Sequence, residues 1–176
     1  LSYVSLYKKI NNKHAVGGAV RFFSLGEITY TDASGNVLRD DKPSEFEVTG
    51  AYAFKLSDKF SIGVNGKFAY SNLTGGLTVA GVMTKPGKVG AADLSMTYFN
   101  DRVKIGRNIA TYTLATTINN IGNKVAYSVL AKRDFIPMNL KIGNALTLKY
   151  DSYNTITYAL DIQRLLVPTP AFYDNI

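Results

Sequence analysis

The chain has 176 residues, enough for one domain with a sizeable core. It contains no Cys, which excludes a disulfide framework, a thiol nucleophile and thiolate metal sites. Lys and Arg number 20 against 13 acids, a net charge of +7. The basic residues are nevertheless scattered singly, and the densest group, Lys132 and Arg133, is followed at once by Asp134, so no nucleic-acid partner is expected.

The first predicted strand is 1–9, LSYVSLYKK, which has neither the basic nor the apolar region of a signal peptide. The chain turns at Asn11 and Asn12 into a second strand, 14–30. A long polar connection, 31–44, follows. Within it TDASGN sets Asp32, Ser34 and Asn36 at the spacing that opens a calcium loop, but the twelfth position from Asp32 is Pro43, where a bidentate Glu is required. That stretch reads as a loop turn, and no metal site is expected.

Strands 45–55 and 59–71 flank a short turn at Ser57 and Asp58. In the second, Phe60, Ile62, Val64, Gly66, Phe68 and Tyr70 fall on one parity, opposite Ser61, Gly63, Asn65, Lys67 and Ala69. The connection 72–87 is rich in Gly but has no helix behind it to make a phosphate cradle; with Leu77, Val79, Val82 and Met83 it reads first as a flexible, partly apolar outer loop and alternatively as a surface that packs on a partner. Strands 88–99 and 107–118 are predicted to turn at Asn100 and Asp101. The connection 119–137 is long again, and within it 124–133 reads as a short strand or hairpin arm. Strands 138–150 and 154–166 close the series around Asp151 to Tyr153.

Connections therefore alternate short and long, as in outer-membrane barrels, which turn tightly on the periplasmic side and carry long loops outside. No stretch approaches the roughly 20 apolar residues of a membrane helix, so only a closed sheet could cross a bilayer. Most strands span about 9–13 residues, close to the 9–11 that a tilted strand needs. Aromatics near the ends of the apolar parities, at Tyr30, Phe46, Phe54, Phe60, Tyr70, Tyr98 and Tyr150, fit interfacial girdles.

The polar parities hold mostly Gly, Ala, Ser, Thr and Asn with sparse charges: Arg21, Glu47, Lys67, Asp93, Lys141, Lys149 and Asp161. Such thin, mixed charge suits a crowded polar lumen, with Arg21 and Glu47, and Lys67 and Asp93, on adjacent predicted strands as candidate pairs. The sequence thus predicts an all-β, transmembrane antiparallel β-barrel, with 1–176 forming a single domain. No catalytic residue emerges: the single His14 follows a turn, and no G-x-S-x-G, H-E-x-x-H or Walker loop occurs.

Four strings are more specific: RFFSLGEI (21–28), NNIGNKVAYS (119–128), DFIPMNLKIGNAL (134–146) and ITYALDIQRLLVPTP (156–170). Together they resemble the PorV family, also called LptO, outer-membrane proteins of the type IX secretion system distantly similar to FadL-like barrels. The most telling residues are Phe135, Ile136, Pro137, Asn139 and Leu140 leading into Gly143, and Asp161 followed by Leu165, Leu166, Val167, Pro168 and Pro170.

The resemblance implies a FadL-like barrel of about 14 strands in a complete protein, of which about eight lie in this chain, so that the chain is expected to be an internal portion of a longer protein. It implies no enzyme activity and no cofactor. It also implies a shuttle that takes cargo by its C-terminal signal domain from the translocon barrel to a sortase-like surface peptidase, in contact with outer-membrane lipid. The long loops are expected to be extracellular, with Arg39, Asp40 and Asp41 in the first and Lys132, Arg133, Asp134 and Phe135 in the third as partner-binding candidates. The alternative is a FadL-like channel for hydrophobic small molecules.

Overall fold

The computed structural model describes residues 1–73, 76, 78, 79, 81–106, 108–151 and 153–167. Along it run β1 (Ser2–Lys9), β2 (His14–Ser24), β3 (Ile28–Thr31), β4 (Val37–Asp41), β5 (Ser44–Lys55) and β6 (Phe60–Asn72). Then come β7 (Thr78–Val79), β8 (Val82–Met83), β9 (Gly87–Ile105), β10 (Asn108–Gly122), β11 (Asn139–Lys149) and β12 (Thr155–Leu165). Eight of these form one antiparallel meander in the order β1-β2-β5-β6-β9-β10-β11-β12. β3–β4 and β7–β8 are separate hairpins raised from the first two long connections. β1 and β12 stand at the two margins and do not pair with one another, so the eight strands make an open wall.

The two faces of this wall are inverted relative to a soluble sheet. In β6, Phe60, Ile62, Val64 and Phe68 are each about two-fifths exposed, whereas Ser61, Asn65 and Lys67 between them are half-buried. Ala110, Ile136 and the loop residue Pro43 are the buried aliphatic side chains among the described residues. The surface is 12777 Å², against roughly 8,400 Å² for a compact soluble monomer of this mass. Hydrophobic side chains are thus aligned without a core beneath them, the arrangement a lipid-facing wall requires.

Short turns use the expected side chains. Asn11 Oδ1 accepts from the backbone N–H groups of Lys13 and His14 at 2.8 and 3.0 Å, and Ser57 Oγ accepts from Lys59 and Phe60 at 3.3 and 3.1 Å. The apolar face carries rings toward both ends: Phe46 stacks on Tyr70 at 5.5 Å on the long-loop end, and Phe60, Tyr98 and Tyr112 form a chain on the other, with spacings of 5.0 and 6.4 Å. His14 joins the second set, 4.7 Å from Phe54, with its Nδ1 2.6 Å from the Tyr52 hydroxyl.

Three boundaries differ from the sequence reading. The strand expected over 14–30 ends at Ser24, because Gly26 takes φ +83° and 28–31 folds back on 37–41; Tyr30 therefore belongs to the loop hairpin and not to a girdle. Asn100 and Asp101 do not turn. They sit in a bulge of β9, where the register slips between Ala110 and Tyr112, and the chain reverses at Gly106, φ +60°. The strand expected to end at 118 continues to Gly122 through a second bulge, in which Asn120 adopts φ 62°.

Candidate functional site

Register places Arg21, Glu47, Lys67, Asp93, Lys141, Lys149 and Asp161 on one face of the wall: Arg21 lies opposite Glu47, Ala51 opposite Asn65, Asn65 opposite Asp93, Thr117 opposite Lys141 and Gly143 opposite Asp161. The charges are used unequally. Lys67 Nζ lies 2.8 Å from Asp93 Oδ1 with both side chains largely covered. The Asp93 carboxylate also accepts the Asn120 backbone N–H at 2.8 Å and the Asn65 amide at 3.5 Å. One acid thus ties β6, β9 and the β10 bulge together.

Arg21 does not ion-pair with Glu47 although the two are directly opposed. Its guanidinium lies 6.0 Å from the centroid of the Tyr3 ring, and Glu47 accepts weakly from Thr49 at 3.4 Å. Lys141, Lys149 and Asp161 lie exposed on β11 and β12. Asp161 reaches over Gly143, where a side chain would meet its carboxylate.

Three long connections gather at one end. In the first, Arg39, Asp40 and Asp41 lie on β4 and spend their charges locally: Arg39 Nη2 donates to Asp41 at 2.8 Å and stands over Tyr30, and Asp40 accepts from the Thr29 hydroxyl at 2.6 Å. Asp32 caps the tip of that hairpin. Its side-chain bond from Asn36, then backbone bonds from Asn36, Ser34 and Gly35, hold its carboxyl below the usual range. The third connection is folded differently. Val125 and Asp134 exchange backbone bonds at 2.8 Å in an isolated bridge, so 124–133 closes into a narrow ribbon without the regular strand expected there. That ribbon is tied to the second connection, with Lys85 N–H donating to Tyr127 O at 2.8 Å and Val129 N–H to Met83 O at 3.1 Å. Lys132, Arg133 and Phe135 are exposed, and Lys124 Nζ stands 4.2 Å from the Phe135 ring centroid. Leu77 lies outside the described residues.

A family model described as "Type IX secretion system protein PorV" matches residues 1–172. The chain belongs to the PorV family. Comparison with curated proteins gave no match. The strings that carry the PorV resemblance now have a structural meaning. Ile136 is buried, Pro137 O accepts from the Asn120 and Asn139 side chains at 2.9 and 3.2 Å, and Leu166 N–H donates to Met138 O at 2.8 Å. The PorV-like segment from Phe135 to Asn139 is therefore the anchored return of the third connection into β11. Pro168 and Pro170 lie outside the described residues.

Sequence reasoning missed Glu45, Ser71, Tyr127 and Asn120. Glu45 accepts from the Ser71 hydroxyl at 2.5 Å on the polar face, and parity alone would have placed both there. Tyr127 and Asn120 had no such signal, because loop folding and a bulge position them.

Proposed function

We propose that this chain forms part of the wall of an outer-membrane β-barrel that serves protein secretion without catalysis. In this reading the apolar face meets lipid, the polar face is the lumen lining, and the long connections are extracellular. The barrel receives cargo by its C-terminal signal domain from the translocon barrel and passes it to the sortase-like surface peptidase. Membership of a type IX secretion family over residues 1–172 carries the reading. The inverted faces support the membrane placement, since exposed apolar strands are stable only where lipid covers them.

The third connection is the better partner-binding candidate. Arg39, Asp40 and Asp41 are engaged within their own hairpin, whereas Arg133 and Phe135 are exposed beside Val129 and Leu130, which are 54% and 76% exposed. Exposed apolar side chains edged by charge are typical of contact surfaces. The channel alternative needs an apolar path, and the Lys67–Asp93–Asn65 cluster on the polar face weighs against it.

The test is capture of a cargo signal domain by the intact protein in mild detergent. The double substitution Lys132→Glu and Arg133→Glu is expected to weaken capture by about tenfold, with heat-dependent gel mobility unchanged. Equal capture by the parent and the variant would remove the third connection from the interface, and no capture by the parent would sink the shuttle reading.

A further inference from the structure

The third connection does more than present a surface: it crosses the polar face at the loop end of the wall. Two glycines show this. An added Cβ on Gly87 would lie 2.7 and 2.9 Å from Cε1 and Cζ of Tyr127, and one on Gly122 would lie 2.8 Å from Cδ1 of Ile136. Register puts both on the polar face, Gly87 opposite Ser71 and Gly122 opposite Ala91. Each arm of the connection therefore seats a side chain on that face, at a spot where the absence of a Cβ makes room.

The two seats are not equivalent. The Ile136 arm is buried and fixed by side-chain bonds from Asn120 and Asn139 to Pro137 O. The Tyr127 side chain is 41% exposed; its arm is held by two backbone bonds to the second connection and, at its root, by Asn123, whose Oδ1 accepts the Gly90 N–H at 2.6 Å and whose Nδ2 donates to Lys88 O at 3.2 Å. The Tyr127 ring is one wall of an open recess of about 180 Å³ lined also by Arg21, Phe23, Glu45, Glu47 and Ser71.

We propose that residues 123–138 form a strap anchored at Asn123 and Ile136, with the Tyr127 ring as a gate seated on Gly87 and covering the loop-end side of that recess. With both roots of the connection tied to the wall, at Asn123 and at Pro137, the partly exposed Tyr127 ring is the part that opens first, because local opening is cheapest where side-chain contacts are sparse. When the ring lifts, the carboxylates of Glu45 and Glu47 become reachable from the loop end. The proposal stands independently of the cargo-shuttle reading.

Access can be timed with a thiol reporter. Ala69 lines the same recess, directly opposite Glu47, and Ala69→Cys leaves the Ser71–Glu45 bond in place. In the intact protein, with the introduced thiol as its sole cysteine, reaction with a trimethylammonium methanethiosulfonate reagent is expected to be slow. Tyr127→Ala should accelerate it by about tenfold, Gly87→Ala should accelerate it by unseating the ring, and Tyr127→Phe should leave it slow. An unchanged rate in Tyr127→Ala overturns the gate. So does acceleration by Tyr127→Phe, which would assign closure to the hydroxyl. If Tyr127→Ala does not reach the folded, heat-modifiable form, Gly87→Ala decides, and an unchanged rate there is equally fatal.

Discussion

At the scale of single residues, Asp93 does what no other charge on the polar face does, serving a cation, an amide and a strained backbone at once. Lys67→Met removes one partner and leaves the carboxylate two donors. Asp93→Ala removes the acceptor and orphans both the ammonium and the N–H of Asn120, whose positive φ holds it in the bulge. Asp93→Ala should therefore be the more destabilising, at about 3 kcal/mol against about 1–2 kcal/mol for Lys67→Met, measured by urea unfolding in a detergent or lipid phase. The reverse order would show that the bulge stands without its acid. Asp151 is a simpler case. Its side-chain bond from Asn154 and the backbone bonds from Tyr153 and Asn154 hold its carboxyl below its ordinary value of 3.8. A depressed folded value means that the turn's extra stability is present above that ordinary value and is lost as pH falls through the lower one. Amide exchange at Tyr153 and Asn154 should accordingly be level near neutrality and quicken, relative to intrinsic rates, only in strong acid. Asp151→Asn should abolish that transition.

At the scale of elements, the strand pairs were readable because alternation and Asn, Asp or Ser turn chemistry agree in β1–β2, β5–β6 and β11–β12. The β9–β10 hairpin shows why such a reading fails. Asn100 and Asp101 have turn chemistry, and Asn100 Oδ1 does accept the Arg102 N–H at 3.2 Å, yet the bond serves a bulge while Gly106 makes the reversal. A bulge and a turn use the same residues locally; only pairing with Ala110 and Tyr112 separates them. Gly106→Val should therefore cost about 1–2 kcal/mol through its positive φ, whereas Asp101→Ala should cost well under that. Gly122 is constrained by approach instead: an added Cβ would lie 2.5 Å from Gly90 O and 2.8 Å from the Ala91 Cβ. Gly122→Ala should destabilise the hairpin by about 1–3 kcal/mol and loosen the Ile136 anchor, read as faster proteolysis after Lys132 and Arg133.

At the scale of the whole molecule, the wall has, among the described residues, an apolar face with no protein behind it and two unpaired margins. Membranes containing the protein should retain it through high salt and alkaline carbonate and release it to detergent; release by carbonate alone would contradict the lipid-facing placement. The all-β class, the eight-strand meander, the alternation of short and long connections and the shared parity of Arg21, Glu47, Lys67, Asp93, Lys141, Lys149 and Asp161 could all be read from the sequence alone. Those features are local: a period of two and a turn residue are written in adjacent positions. Its family resemblance was likewise carried by contiguous strings. Only the folded chain settles which charges on adjacent strands meet, so that Lys67 pairs with Asp93 while Arg21 turns to Tyr3, and how the third connection folds back over Gly87 and Gly122. Those outcomes depend on register, bulges and room between distant segments, none of which any short stretch of sequence encodes alone.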